Sequence, residues 1–404
     1  MDGSTVPQRG PAVDSSSAFI LLITIFAFFL PILLYFPPIR SLWIYPLKSC
    51  RGIKVHQSKV LPTGLEFDRL YTFAQLKSPF PVSLQSPSPE KEAHAWHFIT
   101  QRQFPLLATV SVDLFTPDPA KTRGSVGDSS APAPAPYLLV RFPWRERGVR
   151  GALGWAGAKL ARGWRARPER EFVLPVAFPS PDEIAARGYA REEVAVWRDA
   201  VPALNMRADL PPELALYLGV SNTLGLFRVD PACLRAVRRC APSRAEAGYQ
   251  PVTGFQDAYP LHLLNLTSVR DFDAKIEKDE ELRELDPRRF RANIIVDGDE
   301  NPYDEETWKK VRFNPGPSNK RDASTFHVSC RTVRCKLPNV NQETGFRHPV
   351  QPDKALRKFR EVDEGAKHMG CLGMQVTPLF PTEDLESWVE VGMGHDDGAY
   401  ARHM

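Results

Sequence analysis

The most informative stretch of this chain is residues 43–52, which read Trp43-Ile44-Tyr45-Pro46-Leu47-Lys48-Ser49-Cys50-Arg51-Gly52. Its first residues continue a nonpolar run that starts at Ile39, and such a run is typical of a strand. Lys48 and Ser49 follow at the strand end with Arg51 nearby, so that a charge, a hydroxyl group and backbone N–H groups can surround an anion. The stretch lacks the G-x-x-x-x-G-K spacing of a nucleotide-binding phosphate loop, which argues against ATP binding of that type.

Around this stretch lies a chain of 404 residues, of which 43% are hydrophobic. This size and composition exclude a wholly disordered protein and allow one large core or two ordinary ones, since domains run to about 100–200 residues. Thirty-eight prolines indicate long proline-rich loops, chiefly at residues 77–92 and 117–136. Six scattered cysteines are too few for a disulfide-stapled secreted scaffold.

Short runs rich in β-branched and aromatic residues predict a β-dominated α+β fold. In the first half they predict strands at residues 39–47, 53–60, 67–76, 106–114 and 137–142. In the second half they predict strands at residues 290–297, 307–313, 326–335 and 388–391, the last as the final strand. Helical spacing predicts helices over residues 183–218, with Pro212 opening the last turn, and over residues 267–285.

Residues 18–36 read AFILLITIFAFFLPILLYF, nineteen residues without a charge. A helix of this length spans about 28 Å, close to the hydrocarbon thickness of a bilayer. A cleaved signal peptide would have a shorter apolar core after a basic region, whereas residues 1–17 form a short tail with two aspartates and one arginine. We therefore expect an N-terminal transmembrane helix that is retained. The basic residues Arg40, Lys48, Arg51 and Lys54 follow it, so the C-terminal part is expected to be cytosolic.

Residues 144–170 hold eight Lys/Arg and two Asp/Glu, a local charge of +6, which leaves −2 for the rest of the chain because the total is +4. We expect a solvated loop here. The alternative is a basic segment with Trp144, Trp155 and Trp164 that rests on an anionic lipid surface. A nucleic-acid-binding protein would spread its cations over a folded face, so nucleic acid is not expected as a partner.

Cys335 ends a predicted strand directly after Arg334. A neighbouring guanidinium favours the thiolate, which is the form that ligates metals or acts as a nucleophile. The alternative is a zinc site from Cys330, Cys335, His327 and His348, but their spacing is loose. Further arginines stand at predicted strand ends at Arg69, Arg102 and Arg291, so together the residues predict a cationic pocket with a candidate thiolate.

The motifs resemble the MOSC superfamily, in particular the membrane-anchored mitochondrial amidoxime reducing component. The matching segments are residues 43–52, 68–70, 100–103, 257–261, 290–293 and 334–345. The resemblance implies four segments: a tail (1–17), the transmembrane anchor (18–36), a MOSC N-terminal β-barrel-like domain with insertions (39–230) and a MOSC β-barrel domain (231–404). The chain departs from the family pattern at Ala258, Tyr259 and Asn341.

The resemblance also implies a molybdenum cofactor with Cys335 as the protein ligand of the metal and as the catalytic residue. It implies that the pterin and phosphate of the cofactor contact nine residues: Lys48, Ser49, Arg69, Arg102, Asp257, Tyr259, Arg291, Asn293 and Arg334.

The reaction implied by the resemblance is the two-electron reduction of N-hydroxylated compounds such as amidoximes and hydroxylamines. Its implied partners are cytochrome b5 and NADH-cytochrome b5 reductase, and its implied location is the mitochondrial outer membrane, with the endoplasmic reticulum as the alternative. The main alternative function is a sulfur carrier with a persulfide on Cys335. Sulfurases of the superfamily carry a pyridoxal-phosphate domain ahead of the MOSC part. A scaffold without chemistry is a third possibility.

Overall fold

The computed structural model describes residues 39–77, 94–117, 135–146, 148–164, 166–298, 301–315 and 321–396. The strands up to residue 229 are β1 (Ile39–Ile44), β2 (Ile53–Val55), β3 (Gln57–Leu61), β4 (Gly64–Leu65), β5 (Tyr71–Lys77), β6 (Ala95–Phe98), β7 (Ser111–Phe115), β8 (Tyr137–Pro143), β9 (Glu169–Pro175), β10 (Ala190–Val196), β11 (Asp199–Asn205) and β12 (Leu224–Val229). The later strands are β13 (Arg235–Ala236), β14 (Val252–Thr253), β15 (Leu261–Asn265), β16 (Ile294–Val296), β17 (Lys310–Asn314), β18 (Ser324–Val333), β19 (Cys371–Leu379), β20 (Ser387–Glu390) and β21 (Gly394–Asp396).

Six α-helices connect these strands within the described residues. They are α1 (Gly148–Arg162), α2 (Pro181–Arg187), α3 (Pro212–Leu218), α4 (Arg244–Ala247), α5 (Leu266–Ala274) and α6 (Asp353–Phe359). The β-dominated α+β class is therefore confirmed. Pro212 opens α3 as predicted, because its fixed φ suits the first helical position and its missing N–H is not needed there.

A closed five-stranded barrel forms the first unit. Its strand order is β10-β11-β12-β5-β6, and the parallel pairing of β6 with β10 closes it. Tyr71, Phe73 and Leu226 are fully buried in the core next to it. This barrel confirms the barrel-like fold that we expected for the first half.

An eight-stranded sheet forms the second unit, in the order β2-β1-β16-β15-β19-β18-β17-β21. We expected a second barrel, but in the described residues the strand order ends at β2 and β21. Its first strands come from the start of the chain, since Leu42 of β1 pairs with Ile294 of β16. After β2 the polypeptide passes through β3 and β4, which form a separate three-stranded sheet with β20, before it enters the barrel at β5. Ile53 and Phe67 pack against the cores of both units.

The basic segment folds as part of a third, three-stranded sheet of order β7-β8-β9. The expectation of a solvated loop is wrong here, because the segment between β8 and β9 forms the 15-residue helix α1. The alanines at residues 152, 156, 158 and 161, the two leucines and the lysine of α1 have high helix propensity, and this outweighs its four glycines.

The helix predicted over residues 183–218 is wrong for most of its length. Ser180 and Glu183 form a capping box that starts α2, and Gly188 in the left-handed conformation ends it after seven residues. The hairpin of β10 and β11 follows, and only α3 restores the helix. In a similar way, residues 105–109 form a 3-10 helix instead of the start of a strand, and the helix predicted over 267–285 ends at Ala274.

The other predicted strands of the second half are present with shifted bounds. Residues 287–290 are a 3-10 helix, so the strand expected at 290–297 shortens to β16. The strand predicted at 388–391 is present as β20, but β21 follows it and is the last strand described.

The predicted anchor at residues 18–36 lies outside the described residues. Among the helices that the structure describes, none has the length and apolar character needed to cross a bilayer.

Gly373 in β19 occupies a position that other residues would strain. Its φ is +78°, and a Cβ there would lie 2.5 Å from Nε2 of His262 and 2.6 Å from the carbonyl oxygen of Leu263. We expect Gly373→Ala to lower the free energy of unfolding by about 3 kcal/mol, because both the clash and the left-handed backbone oppose it. The shift in the urea unfolding midpoint measures this.

Gly154→Ala is the matched control for Gly373→Ala. Gly154 lies in α1 and a Cβ there has no heavy atom within 4 Å. Because alanine favours a helix over glycine, this variant should raise the free energy of unfolding by about 0.5–1 kcal/mol. Equal midpoints for the two variants would contradict the packing described at Gly373.

Glu305 should make the stability depend on pH. Burial raises the pKa of this fully buried carboxyl from 4.5 to about 7, although Ser268 and Asn265 donate hydrogen bonds to Oε2. Since the folded-state pKa is the higher one, the stabilisation is fully present below about pH 4.5 and is lost as the pH rises through about 7.

Glu305→Gln should remove this dependence, because the amide stays neutral. We expect the variant to be more stable than the parent by up to about 3 kcal/mol at pH 8 and close to it at pH 4.5. Unfolding midpoints measured from pH 4.5 to 8 check this, and parallel profiles for the two proteins would rule it out.

Candidate active site

The candidate site lies where the barrel meets the large sheet. The backbone after β1 turns so that the N–H of Lys48 donates to the carbonyl of Tyr71 in the barrel, at 2.8 Å. The N–H of Arg69 donates a hydrogen bond to the carbonyl of Tyr45 at 2.9 Å. These bonds place residues 45–52 beside residues 66–71, and the segment before β16 packs against both.

Lys48 and Asp257 form an ion pair across 209 residues of sequence. Nζ of Lys48 lies 2.5 Å from Oδ1 of Asp257 and 2.7 Å from the carbonyl oxygen of Phe255. Burial lowers the pKa of Lys48, with the neighbouring carboxylate opposing this. Desolvation disfavours the Asp257 carboxylate, but the Lys48 ammonium outweighs it and holds the pKa of Asp257 well below its usual range. The Asp257 carboxylate is therefore ionised at neutral pH.

Trp197 connects this pair to Arg102. The tryptophan stands at the turn between β10 and β11, and its Nε1 donates to Oδ1 of Asp257 at 3.1 Å. The guanidinium of Arg102 stacks on its ring at 4.4 Å from the centroid. Arg102 thus contacts the site through an aromatic ring, in a cation–π arrangement.

Two further arginines of the site contact the ring of Tyr45. Arg69 lies 4.5 Å and Arg291 4.2 Å from the centroid of its ring. The ring keeps two positive charges close together, since the negative face of an aromatic system attracts a guanidinium. Burial raises the pKa of Tyr45 to about 12, so the phenol stays neutral.

Asp68 supplies a negative charge next to Arg69. The carboxylate is fully enclosed, accepts a hydrogen bond from the N–H of Tyr45 at 2.8 Å, and pairs with the Arg69 guanidinium. Burial raises its pKa and Arg69 opposes the rise. Arg69 also donates to the carbonyl of Arg291 at 3.2 Å.

Arg291 has an unused donor that is buried. Its Nη1 donates to the carbonyl of Cys50 at 2.6 Å, while its Nη2 has no hydrogen-bond partner among the described residues. The residue is 7% exposed, and burial lowers its pKa to about 10. A buried donor without a partner costs about 1–3 kcal/mol, which an anionic ligand at this position would offset.

Three residues of this site have positive φ although none is glycine. The angles are +67° for Ser49, +49° for Arg69 and +55° for Arg291. This left-handed conformation is unfavourable for residues with a Cβ, and such strained residues cluster at functional sites. The folded structure therefore accepts local strain to hold these side chains in place.

Cys335 lies half-buried in the turn after β18, next to Arg334. Burial lowers the pKa of Arg334 to about 10, and the adjacent Cys335 opposes this shift. Arg334 donates to the carbonyls of Leu372 and Phe290 and to His262. Its guanidinium therefore fixes the position of the turn that carries the thiol.

His262 is a neutral member of the site. Burial and the adjacent Arg334 hold its pKa well below its usual range. The charge of Arg69 contributes to the same shift in His262, and also to the shifts in Lys48 and Asp257.

The remaining predicted residues have other surroundings. Asn293 donates to the carbonyl of Trp43 at 3.1 Å and accepts from the N–H of His262, so it joins β1 to β15. Ser49 is buried, and its carbonyl accepts a hydrogen bond from Gln101 at 2.8 Å. Tyr259 lies beyond Asp257, where its hydroxyl donates to the carbonyl of Arg239 at 2.6 Å.

A cavity of about 430 Å³ opens beside Asp257. Its lining includes Tyr259, Cys330, Arg238 and Arg239. Cavities of this size hold small organic molecules. The substituted positions after Asp257 therefore face a space of substrate size.

The side chains of the site fit an anionic cofactor that brings its own metal. The cations Lys48, Arg69, Arg291 and Arg334 exceed the two carboxylates, and the unpartnered Nη2 of Arg291 provides a donor. Cys335 adds one soft ligand. Across the described residues no three His, Cys, Asp or Glu side chains converge as a metal site, so a metal here would take most of its ligands from the cofactor.

The zinc alternative fails on the same ground. Cys330, Cys335, His327 and His348 do not form a four-ligand site in the part of the chain that the structure describes. His348 is instead hydrogen-bonded to Asp279 at 2.7 Å, and Cys330 lines the cavity beside Tyr259.

Sequence reasoning missed four residues of the site: Tyr45, Asp68, Trp197 and His262. Tyr45 and Asp68 lie within the motifs at residues 43–52 and 68–70. Their closeness in sequence to Lys48 and Arg69 could have identified them as site residues. Trp197 and His262 stand outside every motif, and only the fold brings them to the site.

Comparison with known proteins identifies relatives over most of the chain. It is 22% identical to mitochondrial amidoxime reducing component 2 of Rattus norvegicus, over 85% of this chain and 77% of that protein. It is 23% identical to mitochondrial amidoxime-reducing component 1 of Mus musculus, over 80% of this chain and 72% of that protein. A 136-residue part is 31% identical to molybdenum cofactor sulfurase of Arabidopsis thaliana, over 32% of this chain and 15% of that protein.

Two family models match the chain. Residues 36–124 match the MOSC N-terminal beta barrel domain, which includes the first strands and the Lys48 turn. Residues 250–392 match the MOSC domain, which includes Asp257, Arg291 and Cys335. The chain therefore belongs to the MOSC domain proteins, with a MOSC N-terminal beta barrel domain ahead of its MOSC domain.

Proposed function

We propose that this protein is a molybdenum-cofactor oxidoreductase that reduces N-hydroxylated compounds. The observation that carries the proposal is the half-buried thiol of Cys335 next to Arg334, in a site where Arg291 keeps a buried donor free. The names of the relatives, which refer to amidoxime reduction and to the molybdenum cofactor, support the same activity.

Different residues of the chain would bind different parts of the cofactor. Cys335 would bind molybdenum through its sulfur, and Arg334 would keep the turn of Cys335 in position through its bonds to backbone carbonyls. Lys48, Arg69 and Arg291 would hold the phosphate and the pterin, because charge-assisted hydrogen bonds to phosphate are about twice as strong as neutral ones.

The cofactor when bound supplies two-electron chemistry that removes oxygen from an N–OH group. An amidoxime that takes up two electrons and two protons gives an amidine and water, so atoms and charge balance. Asp257 is ionised and His262 is neutral at neutral pH, so neither carries a proton to give at the start. The cavity beside Asp257 offers room for the organic part of the substrate.

Electron supply and location belong to the same proposal. NADH-cytochrome b5 reductase and cytochrome b5 would deliver the electrons to the cytosolic side. The hydrophobic segment 18–36 would anchor the protein by a single span, in the mitochondrial outer membrane or in the endoplasmic reticulum.

Purified full-length protein tests the activity directly. We expect about one molybdenum per chain, and reduction of benzamidoxime to benzamidine with reduced methyl viologen as electron donor. Protein that contains the cofactor and leaves benzamidoxime unchanged would refute the reductase.

Cys335→Ser should reduce benzamidoxime turnover at least 100-fold, because a hydroxyl is a far weaker ligand for a soft metal than a thiolate. The pterin should still copurify in part, since its phosphate contacts do not involve the thiol. Cys233→Ser is the matched control, because Cys233 is also half-buried but lies outside the site. Full turnover by Cys335→Ser would exclude this cysteine as the ligand.

Lys48→Ala and Arg291→Ala should each weaken cofactor retention about tenfold or more. A hydrogen bond to a charged group contributes about 1.5–3 kcal/mol, which corresponds to such a change. Pterin fluorescence per chain after repeated gel filtration measures retention without reference to activity. Arg270→Ala is the control, because the exposed guanidinium of Arg270 on α5 pairs with Asp297. If Arg270→Ala lost as much pterin as the two site variants, the cation cluster would not be the phosphate site.

A second candidate function is sulfur transfer with a persulfide on Cys335. The observation in its favour is the 31% identity of a 136-residue part to a molybdenum cofactor sulfurase. Incubation with a cysteine desulfurase and ³⁵S-cysteine separates the two functions. Labelling at Cys335 in protein that does not reduce benzamidoxime would favour the sulfur carrier.

A further inference from the structure

Helix α1 turns its nonpolar residues toward solvent. Val149, Leu153 and Leu160 are 77%, 68% and 88% exposed. At 100° per residue their positions fall within about 40° of one another around the helix axis. On the opposite side, Gly151 and Ala158 are the buried residues. The helix thus contacts the protein through its small side chains and presents Val149, Leu153 and Leu160, here called the α1 face.

Two exposed tryptophans of the same segment contact Lys159 and lie outside the α1 face: at 100° per residue Trp155 falls about 140° from the centre of that face, and Trp164 follows the end of α1. Trp155 is 41% and Trp164 is 79% exposed, and Nζ of Lys159 lies over both rings, at 5.2 and 5.1 Å from their centroids. Tryptophan concentrates at the boundary between lipid and water, because its ring is nonpolar and its N–H is polar. Trp164, the more exposed of the two, therefore suits the interfacial layer of a membrane.

The segment that carries the α1 face is positively charged. Helix α1 contains no Asp or Glu, and its sequence includes Arg150, Lys159 and Arg162. Arg162 pairs with Glu169. Arg145 and Arg167 are exposed, and neither has an ion pair with any residue that the structure describes.

Charge decides which partner fits this face. A second copy of α1 would bring the same cations against those of the first, and like charges oppose association. An anionic bilayer surface attracts the cations and accepts leucine, valine and tryptophan side chains at the depth of its headgroups. We propose that the α1 face binds the surface of an anionic lipid bilayer, with Leu153 and Leu160 inserted and the arginines among the headgroups.

This surface is independent of the cofactor site. It lies between β8 and β9, in the insertion that neither family model covers. Together with the proposed anchor at residues 18–36, it would give the protein two membrane contacts and restrict how the catalytic part is oriented above the bilayer.

Tryptophan quenching by brominated lipid tests the contact with the full-length chain in nanodiscs. Discs contain brominated phosphatidylcholine with or without phosphatidylserine. We expect stronger quenching in the phosphatidylserine discs, and a fall in quenching at 0.5 M NaCl because the attraction is electrostatic. Trp155→Phe/Trp164→Phe should remove most of this difference, while Trp43 and the other tryptophans supply an unchanged background.

Leu153→Glu/Leu160→Glu should abolish the difference as well, without unfolding the protein, because both side chains are exposed. Leu216→Glu is the matched control, since Leu216 is 72% exposed but belongs to α3 and not to α1, and this variant should behave as the parent.

Three results would overturn the proposal. The first is quenching in Trp155→Phe/Trp164→Phe equal to that of the parent. The second is quenching that responds neither to phosphatidylserine nor to salt. The third is a dimer by sedimentation in detergent that Leu153→Glu/Leu160→Glu converts to monomer, which would assign the face to a second copy of the chain.

Discussion

Four positively charged side chains lie close together where the barrel meets the large sheet, and the cost of keeping them there constrains the surrounding structure. Lys48, Arg69, Arg291 and Arg334 would repel one another without compensation. The carboxylates of Asp68 and Asp257, several backbone carbonyls and the ring of Tyr45 supply that compensation. The compensation is incomplete at Arg291, and this is where an anionic ligand fits.

The topology explains why this site depends on the whole chain. Strands β1 and β2 belong to the large sheet, whereas β5 belongs to the barrel, so residues 56–70 pass from one unit to the other. Asp257, Arg291 and Cys335 arrive from the second half of the sequence. The site therefore forms only when the two units pack together, and the positive φ angles of Ser49, Arg69 and Arg291 show that this packing overrides local backbone preference.

Sequence patterns were reliable where the local residues alone select the structure, and they failed where tertiary context selects it. The runs at residues 39–47 and 137–142 have few polar residues and became strands. Residues 190–205 have helix-compatible spacing, yet β11 and β6 offer hydrogen bonds on both sides of β10, so the segment joined the barrel. The charge of the basic segment predicts a solvated loop, whereas its alanines and leucines favour the helix that the structure contains.

The sequence alone predicted the β-dominated class and the motif around Lys48. It also placed Arg334 next to Cys335 and indicated a set of cations suited to a phosphate. These features depend on residue types that stand next to one another in the chain. The tertiary structure alone decided that Trp197 bridges Asp257 and Arg102, that Arg291 keeps a free donor, and that α1 faces solvent with its leucines. The physical reason is that such contacts join residues far apart in sequence, so they are determined by how the barrel, the sheet and the helices pack, and not by any local pattern.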